Sequence, residues 1–381
     1  MRNTLPALSA SRQPRGIVKV DGTAVPGWVS WEVNNNSFYQ ADTFRVTFAL
    51  SGLPPQFDAA WWAAQTTVSI EIFAGFPGDP ANVQATDLES LIYGNADEIT
   101  FDPAVATIEV TGRDLTALLI DTKTTEKFQN LTSSQIATQL AQRHGLTPVV
   151  TATTTLAGKF YEIDHAQMNS QRSEWDLLTF LAGAEQFVVY VKGQELHFEP
   201  KPDVATVDPY VLKWEPPSNG GAPAFNGTKI SFSRNLTVAK GVIVIVRSWN
   251  AKQKKGFTSY YPKAAANFLA GSASITTPGA SGPKGGAQVY TFIVPGLSQQ
   301  KADEMAANKH REITRHEMKL EATMPADNLL AVTDIIQVTG TGTAFDQQYF
   351  PDSITRRMSV AEGYAMAVSA KNHNPDSETL A

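Results

Sequence analysis

The stretch from Gly94 to Asp121 constrains the fold of this chain more than any other, because two regular elements of different period meet in it. Residues 104–111 alternate between apolar and polar side chains, with Ile108 and Val110 on the apolar side. This period of two predicts a strand with one buried face. We expect the strand to end at Gly112.

The residues directly after this strand have the spacing of a helix. Asp114 stands at the position of an N-cap. Leucines then recur at the i, i+3, i+4 spacing of a helix that buries one stripe, at Leu115, Leu118 and Leu119. The chain therefore leaves a sheet at this point and enters a region with a different organisation.

Length, composition and net charge limit the classes of protein to which this chain can belong. A chain of 381 residues is too long for one core, so roughly two to four domains are expected. A hydrophobic content of 42% with 18% charged residues is typical of a folded protein. The net charge of -6 does not indicate the basic surface that binds nucleic acid. The lack of cysteine excludes disulfides and thiol chemistry.

No membrane segment is expected. The amino-terminal residues 1–16 lack the apolar core of a signal peptide. The longest aliphatic run, Val242 to Val246, is far too short to span a bilayer. We therefore expect a protein that is made and assembled in the cytoplasm.

Short strands fill the first part of the chain. Segments Ile17–Val20 and Trp28–Val33 flank a loop that opens with Asp21 and Gly22, which predicts a hairpin between them. Alternating residues predict two further strands, Phe44–Leu50 and Val68–Phe73. Several short strands separated by turns favour a small barrel or sandwich.

The second part mixes helices with a hairpin. Thr132 with Gln135, and Ser173 with Asp176, have the spacing of capping boxes that begin two helices. A hairpin is predicted around Lys192 and Gly193, between the strands Phe187–Val191 and Glu195–Phe198. This region is therefore predicted to be an α+β unit.

The last part returns to strands after an insertion. The run Gly241–Val246 has no polar alternation and is predicted to be buried on both faces. Residues 250–296 are rich in Gly, Ser, Ala and Lys and predict an inserted mobile loop, followed by a helix from Ser298 to about His316. Residues 318–324 alternate again, as a strand does.

Several of these segments resemble one known family. They are GNADEI and TGRDLTALLID within residues 94–121, NSQRSEWDLLTFLAGAEQF with VVYVKGQELHFEP at residues 169–200, and the closing passage from residue 334. All resemble baseplate hub proteins of contractile phage tails, the late control protein D family, which is related to the hub half of type VI secretion spikes. The resemblance spans residues 15–371 and is weakest over 251–296. Several members carry a histidine near Arg356, so no role transfers to that position.

The resemblance implies a mainly β fold with α+β insertions, built from two small β-barrel tube domains, an α+β domain and a smaller inserted domain. The implied segments are an amino-terminal arm (1–14), a first barrel (15–115), an α+β domain (116–200), a second barrel (201–250 and 317–381) and an inserted domain with a mobile loop and a helix (251–316).

The resemblance also implies a function. In that family three copies form a ring that joins a hexameric tail tube to a trimeric central spike, and the ring lines the channel. The expected partners are two further copies of the chain, the spike, the tube and baseplate wedge proteins, with tape-measure protein and DNA passing through. The location would be the virion tail baseplate. Alternatives are a tail-associated peptidoglycan hydrolase and the hub of a tailocin or type VI-like injection device.

Chemistry is not expected from the sequence. The histidines are scattered and lack zinc spacing, at His144, His165, His197, His310, His316 and His373. Two acid pairs could be nominated for glycoside hydrolysis, Glu162 with Asp164 and Glu174 with Asp176, although the second pair suits the first turn of a helix. Gly340 and Gly342 lack the lysine of a P-loop, and Trp61 with Trp62 is better explained by core packing. We therefore predict no catalytic, cofactor-binding or metal-binding residues.

Overall fold

The computed structural model describes residues 13–37, 39–126, 128, 130–154, 172–201, 208–217, 223–236, 242–250, 254–263, 288–314 and 317–372. Strands dominate these residues, so the predicted mainly β class is confirmed. The chain divides into two compact units. Unit 1 comprises Met1–Asp208, Thr323–Asp334 and Asp352–Val368, and unit 2 comprises Pro209–Ala322, Ile335–Pro351 and Ser369–Ala381.

The elements of the amino-terminal half alternate between strands and short helices. In chain order they are β1 (Arg15–Val20), β2 (Thr23–Ala24), β3 (Trp28–Asn36), β4 (Thr43–Ala49), α1 (Ala59–Ala64), β5 (Ser69–Gly75), β6 (Glu89–Asp102), β7 (Thr107–Asp114), α2 (Thr116–Asp121), β8 (Lys123–Thr124), α3 (Ser133–Arg143), β9 (Thr147–Val150), β10 (Arg172–Ser173), α4 (Glu174–Glu185), β11 (Phe187–Lys192) and β12 (Glu195–Pro200).

The carboxyl-terminal half is built almost entirely of strands. Its elements are β13 (Tyr210–Glu215), β14 (Ala224–Phe225), β15 (Lys229–Arg234), β16 (Val242–Asn250), β17 (Lys255–Tyr261), β18 (Gln288–Ile293), α5 (Gln299–Thr314), β19 (Met318–Pro325), β20 (Ile336–Thr339), β21 (Gln348–Ser359) and β22 (Gly363–Asn372). None of the helices in the described ranges is long and apolar enough to cross a membrane.

The main sheet of unit 1 is antiparallel, in the order β21-β3-β4-β7-β6-β5-β1-β2. Its strands alternate as the sequence predicts. In β7, every second residue from Ile108 onward is buried, while the intervening residues are partly exposed. The buried faces of β4 and β5 supply Phe44, Val46, Ile70 and Ile72 to the core.

The predicted hairpin between Ile17–Val20 and Trp28–Val33 was wrong. β1 pairs with the two-residue β2 and with β5, whereas β3 pairs with β4 and β21. Asp21 and Gly22 both adopt positive φ, at 48° and 78°, which gives a two-residue turn that reverses the chain at once. The chain then turns again before β3 begins.

The α+β region of unit 1 follows the sequence closely. Both capping boxes form, with Thr132 accepting from the amide of Gln135 and Ser173 from that of Asp176. The predicted hairpin is present as β11 and β12, and β9 adds to β12 in parallel to complete a three-stranded sheet. Helices α3 and α4 bury an apolar core against this sheet, including Ile136, Leu140, Leu178, Val189, Leu196 and Phe198.

Unit 2 contains a second three-stranded sheet with β16 at its centre. β17 pairs with β16 antiparallel and β18 pairs with it in parallel. Val242 to Val246 are all buried, which confirms the prediction of a strand covered on both faces. Helix α5 packs on one face through Ala302 and Ala306. The predicted mobile loop lies largely outside the described residues.

Another group of strands in unit 2 is held by aromatic and main-chain contacts. β13 pairs with β20 in parallel and with β14 antiparallel, and β19 pairs with β15. The ring of Phe232 stacks on Phe345 with centroids 5.0 Å apart. Gly340 lies where a Cβ would meet the carbonyl oxygen of Trp214 at 1.9 Å, so only glycine fits at the end of β20.

Candidate functional site

The strand pair β6–β7 approaches so closely that two glycines are needed within it. A Cβ on Gly112 would lie 2.1 Å from the carbonyl oxygen of Asn95, and one on Gly94 would lie 2.0 Å from that of Arg113. The pairing also contains a bulge between Ala96 and Glu98. Gly112 therefore marks a close approach inside β7, and the predicted strand end at this glycine was wrong.

Arg113 ties this strand pair to the helix that follows it. Its guanidinium donates to Asp97 on β6 at 2.7 Å and to Asp121 at the end of α2 at 2.9 Å. Hydrogen bonds with Asp97, then with Asp121, raise the pKa of Arg113. The cation therefore fixes the direction in which the chain leaves the sheet.

Asp114 extends the strand before the helix begins. Its amide donates to the carbonyl of Asp42 at 2.9 Å, and its buried carboxylate accepts from the amide and hydroxyl of Thr116 at 3.1 and 3.0 Å. The N-cap of α2 is Leu115, so the prediction that Asp114 caps this helix was wrong by one residue. The main-chain bond to Asp42 holds Asp114 in the sheet.

A polar cluster surrounds Asp42, the residue whose carbonyl accepts the hydrogen bond from the amide of Asp114. The carboxylate of Asp42 accepts from the side-chain amide of Asn35 and from the main-chain amide of Asn36, both at 2.7 Å. The buried guanidinium of Arg356 donates to Asn35 at 3.3 Å and to the carbonyl of Asp327 at 3.0 Å. It also donates to the carbonyl of Leu330. Arg356 therefore holds the 327–330 segment against β3.

Burial governs the electrostatics of these two aspartates. It raises the pKa of Asp42 to about 6, although the bonds from Asn35 and Asn36 and the charge of Arg356 act in the opposite direction. The pKa of Asp114 is also well above its usual range, first through burial and then through the negative charge of Asp42. The pair thus titrates at a higher pH than exposed aspartates do.

The loop between β3 and β4 joins this cluster to the α+β region. The indole nitrogen of Trp175 on α4 donates to the carbonyl of Tyr39 at 3.0 Å, and the Tyr39 hydroxyl donates to the carbonyl of Phe187 at 3.2 Å. At the other end of the loop, the amide of Ser37 donates to the carbonyl of Asp352 at 2.7 Å. Within unit 1 the loop therefore links β21, α4 and β11.

The acid pair Glu174 and Asp176 has a structural explanation. The Glu174 side chain is fully buried and contacts Arg143 at 2.5 Å and His144 at 2.6 Å. Arg143 also pairs with the exposed Glu126 at 2.6 Å. Asp176 completes the capping box of α4 by accepting from the amide of Ser173 at 3.1 Å. Neither carboxylate is free to act on a substrate.

The other nominated residues are not brought together. Glu162 and Asp164 lie outside the described residues, as do His165, His316 and His373. His197 stacks on Tyr190 at 4.6 Å, and His310 packs against Tyr261 at 4.8 Å. In the part of the chain that the structure describes, no three metal-ligating side chains cluster. Trp62 is buried against Phe48, as expected for core packing.

Comparison with known proteins gives matches in structure alone. No protein-family model matches the sequence, and no curated protein does. A tail protein from Neisseria meningitidis MC58 superimposes with a TM-score of 0.67 at 13% identity, over 94% of this chain and 97% of that one. The 43 kDa tail protein of prophage MuSo2 from Shewanella oneidensis gives 0.63 at 14% identity, over 94% and 98%.

The chain has the fold of these two tail proteins.

The tail-protein fold also occurs within larger proteins. The Francisella PdpA–VgrG complex matches with a TM-score of 0.52 at 8% identity, over 96% of this chain but 58% of that one. The matched region therefore covers nearly all of this chain but little more than half of the Francisella chain. At these identities the likeness concerns the fold and carries over no individual side chain.

Sequence reasoning missed the polar cluster around Asp42. Asn35 and Arg356 are 321 residues apart, and neither has a local pattern that indicates this contact. Glu174 was assigned to the first turn of a helix, where it does lie, but its burial against Arg143 depends on how α3 packs beside α4. Three acids, Asp42, Asp114 and Glu174, thus have roles that only tertiary contacts assign.

Proposed function

We propose that this protein is the structural baseplate hub of a contractile tail. Three copies form a ring that joins the hexameric tail tube to the trimeric central spike and lines the channel. The supporting observation is the end-to-end structural match to two phage tail proteins, which covers nearly all of both chains in each comparison. The sequence resemblance to hub proteins, stated above, supports the same assignment.

The proposed ring depends on two similar barrels in each copy. Residues 15–115 form the first, and residues 201–250 with 317–381 form the second, so three copies present six similar positions to a hexameric tube. The spike then binds the other face with true threefold symmetry. Baseplate wedge proteins bind outside the ring, and tape-measure protein and DNA pass through its channel. The assembled protein is located in the virion tail.

We also propose that this protein is not an enzyme. Among the described acids nominated for hydrolysis, Glu174 is buried in contact with Arg143 and His144, and Asp176 completes the capping box of a helix. A peptidoglycan hydrolase would instead need two carboxyl groups facing each other across a cleft. Zymography with the purified chain distinguishes the two functions, because a structural hub gives no clearing of a peptidoglycan gel.

The oligomeric state tests the proposal. A single chain has a mass of 41.3 kDa, so the hub is expected at three times that value in multi-angle light scattering. Obligate assemblies of this kind bury more than roughly 2,000 Å² per interface, so the trimer should persist at micromolar concentrations. A monomeric mass throughout the micromolar range would contradict the ring.

A further inference from the structure

One face of the main sheet in unit 1 is polar in each of its three central rows. Five adjacent strands form it, in the order β21-β3-β4-β7-β6. In each row, cross-strand pairing places one residue from every strand side by side on this face. The middle row consists of Arg357, Glu32, Arg45, Thr111 and Glu98. Every residue of the two flanking rows is Ser, Thr, Asn, Glu or Arg. We call the three rows the polar face.

The polar face has neither an apolar side chain nor a buried residue. The opposite face of the same strands supplies the core, through Trp31, Val46 and Val110. Exposed apolar side chains begin past the end of the polar face, at Val29 and Val360. Apolar atoms form more than half of an ordinary protein surface, and the cores of protein interfaces are apolar as well. The composition of the polar face therefore suits contact with water better than contact with another protein.

The charges on the polar face cancel. Its charged residues are three arginines and three glutamates, namely Arg45, Arg113, Arg357, Glu32, Glu98 and Glu109. No lysine lies in the three rows, although other strands carry exposed lysines, such as Lys213 and Lys319. The face is therefore neutral in a chain whose net charge is -6.

Each arginine of the polar face is already paired with an acid. Arg45 lies 3.7 Å from Glu109, and Arg357 lies 3.8 Å from Glu362. Arg113 is held by the two aspartates described above. Ion pairs at a protein surface add little to stability, so stability alone does not account for the pairing of all three arginines. The pairing leaves no free arginine in these rows for a phosphate group.

We propose that the polar face lines the channel of the hub ring and that a DNA duplex passes over it without binding. This inference rests on the hub function proposed above and identifies the surface that the passing polymer meets. A duplex carries one negative charge for about every 1.7 Å of its length, and free cationic side chains would bind it by releasing its counterions. A surface with an excess of acids would repel it. Hydroxyl groups and paired charges have neither effect.

Freeing the arginines from their acids tests the proposal. A triple variant combines Glu32→Gln, Glu98→Gln and Glu109→Gln, which removes the negative charges of the polar face and leaves its arginines. Fluorescence anisotropy at low salt then measures the binding of a linear duplex and of a closed DNA circle with the same sequence. A preassembled ring admits a free DNA end into its channel but excludes a circle.

We expect the natural chain to bind neither DNA. The triple variant should bind the linear duplex at least about tenfold more tightly than the circle, because its positive charges lie inside the ring. Its affinity for the linear duplex should fall roughly a thousandfold between about 50 and 200 mM salt, as for about six phosphate contacts.

A matched control replaces three exposed acids on other elements by Gln, at Glu126, Glu195 and Glu304. It has the same net charge as the triple variant but an unchanged polar face, so it should show no preference for linear DNA. Thermal unfolding of all variants checks the fold. If the triple variant unfolds at a lower temperature than the natural chain, Glu109→Gln alone should show the same preference with a weaker salt dependence.

Light scattering before DNA is added separates this inference from the hub function itself, because a monomeric mass would refute the hub. For a trimer, equal affinity of the triple variant for linear and circular DNA would overturn the inference, since an outer surface is open to both. A trimeric variant that binds no DNA would also overturn it. So would a control with the same preference for linear DNA, or a natural chain that binds DNA tightly.

Discussion

At the scale of single residues, Glu174 is a fully buried acid at the start of α4 that contacts the end of α3. Its two oxygens separately contact Arg143 and His144. Glu174→Gln removes the charge but keeps the shape, so Arg143 loses its buried anion. We expect the free energy of unfolding in urea to fall by about 2 kcal/mol, since a buried partner of a charged group is lost.

Glu126 provides the matched control. It contacts the same Arg143 at 2.6 Å, but its side chain is 43% exposed. Ion pairs at the surface contribute about 0–1 kcal/mol, so Glu126→Gln should change the unfolding free energy by less than about 1 kcal/mol. Equal losses for the two variants would contradict the importance assigned to burial at Glu174.

The raised pKa of Asp42 predicts that the free energy of unfolding depends on pH. Its pKa rises from 3.8 to about 6 on folding, so the folded chain binds a proton more tightly than the unfolded chain does. This contribution is fully present below pH 4 and is lost as the pH rises through 6. The unfolding free energy should therefore decrease between pH 4 and pH 7, by at most about 3 kcal/mol.

The variant Asp42→Asn tests this effect, because it removes the carboxyl group whose pKa is raised. Urea unfolding of both chains at several pH values gives the difference between them, and the natural chain should gain stability relative to the variant as the pH falls from 7 to 4. The variant also removes the charge that helps to raise the pKa of Asp114, so both members of the pair contribute. A difference that stays constant from pH 4 to pH 7 would contradict the raised pKa.

At the scale of elements, the β6–β7 pair depends on its two glycines. Gly112→Ala would place a methyl group 2.1 Å from the carbonyl oxygen of Asn95 and against the ring of Phe44. The strands must separate to admit it, so we expect the unfolding free energy to fall by about 3 kcal/mol. The measurement is urea unfolding followed by circular dichroism.

Replacing a glycine in a helix should instead raise the free energy of unfolding. Gly183 lies in α4, is exposed, and has open space where a Cβ would be. Gly183→Ala should raise the unfolding free energy by about 0.5–1 kcal/mol, because alanine restricts the unfolded chain and favours helix. If both glycine substitutions had the same effect, the close approach at Gly112 would not be the cause.

Elements with a local signal could be predicted from sequence. Alternation located β4, β5 and β7, and the capping boxes at Thr132 and Ser173 located the starts of α3 and α4. These signals act over a few residues, so no tertiary information is needed. The central strand β16 was predicted for the same reason, from its unbroken apolar run.

Elements decided by distant contacts could not be predicted. Gly112 looked like a strand end, but its role is to admit Asn95 of the neighbouring strand. Asp114 looked like an N-cap, but its amide is held by Asp42 across the sheet. The polar cluster needs Asn35 and Arg356, which the fold alone brings together. The boundaries proposed for the individual domains remain predictions.

At the scale of the whole molecule, comparison with solved structures identifies the fold. The assembly of three copies into a ring is our proposal. Two tail proteins match over almost their full length, and a chain of a PdpA–VgrG complex matches over part of its own length. A ring of three copies is the arrangement through which such a chain could join a sixfold tube to a threefold spike. Two similar barrels in each copy are the physical requirement for that junction.

Electron microscopy of the purified protein in solution tests this requirement most directly. We predict closed rings of three copies around an open channel, with six similar densities along the inner wall. Image averages of single copies, or of open assemblies without a common axis, would contradict the proposed hub.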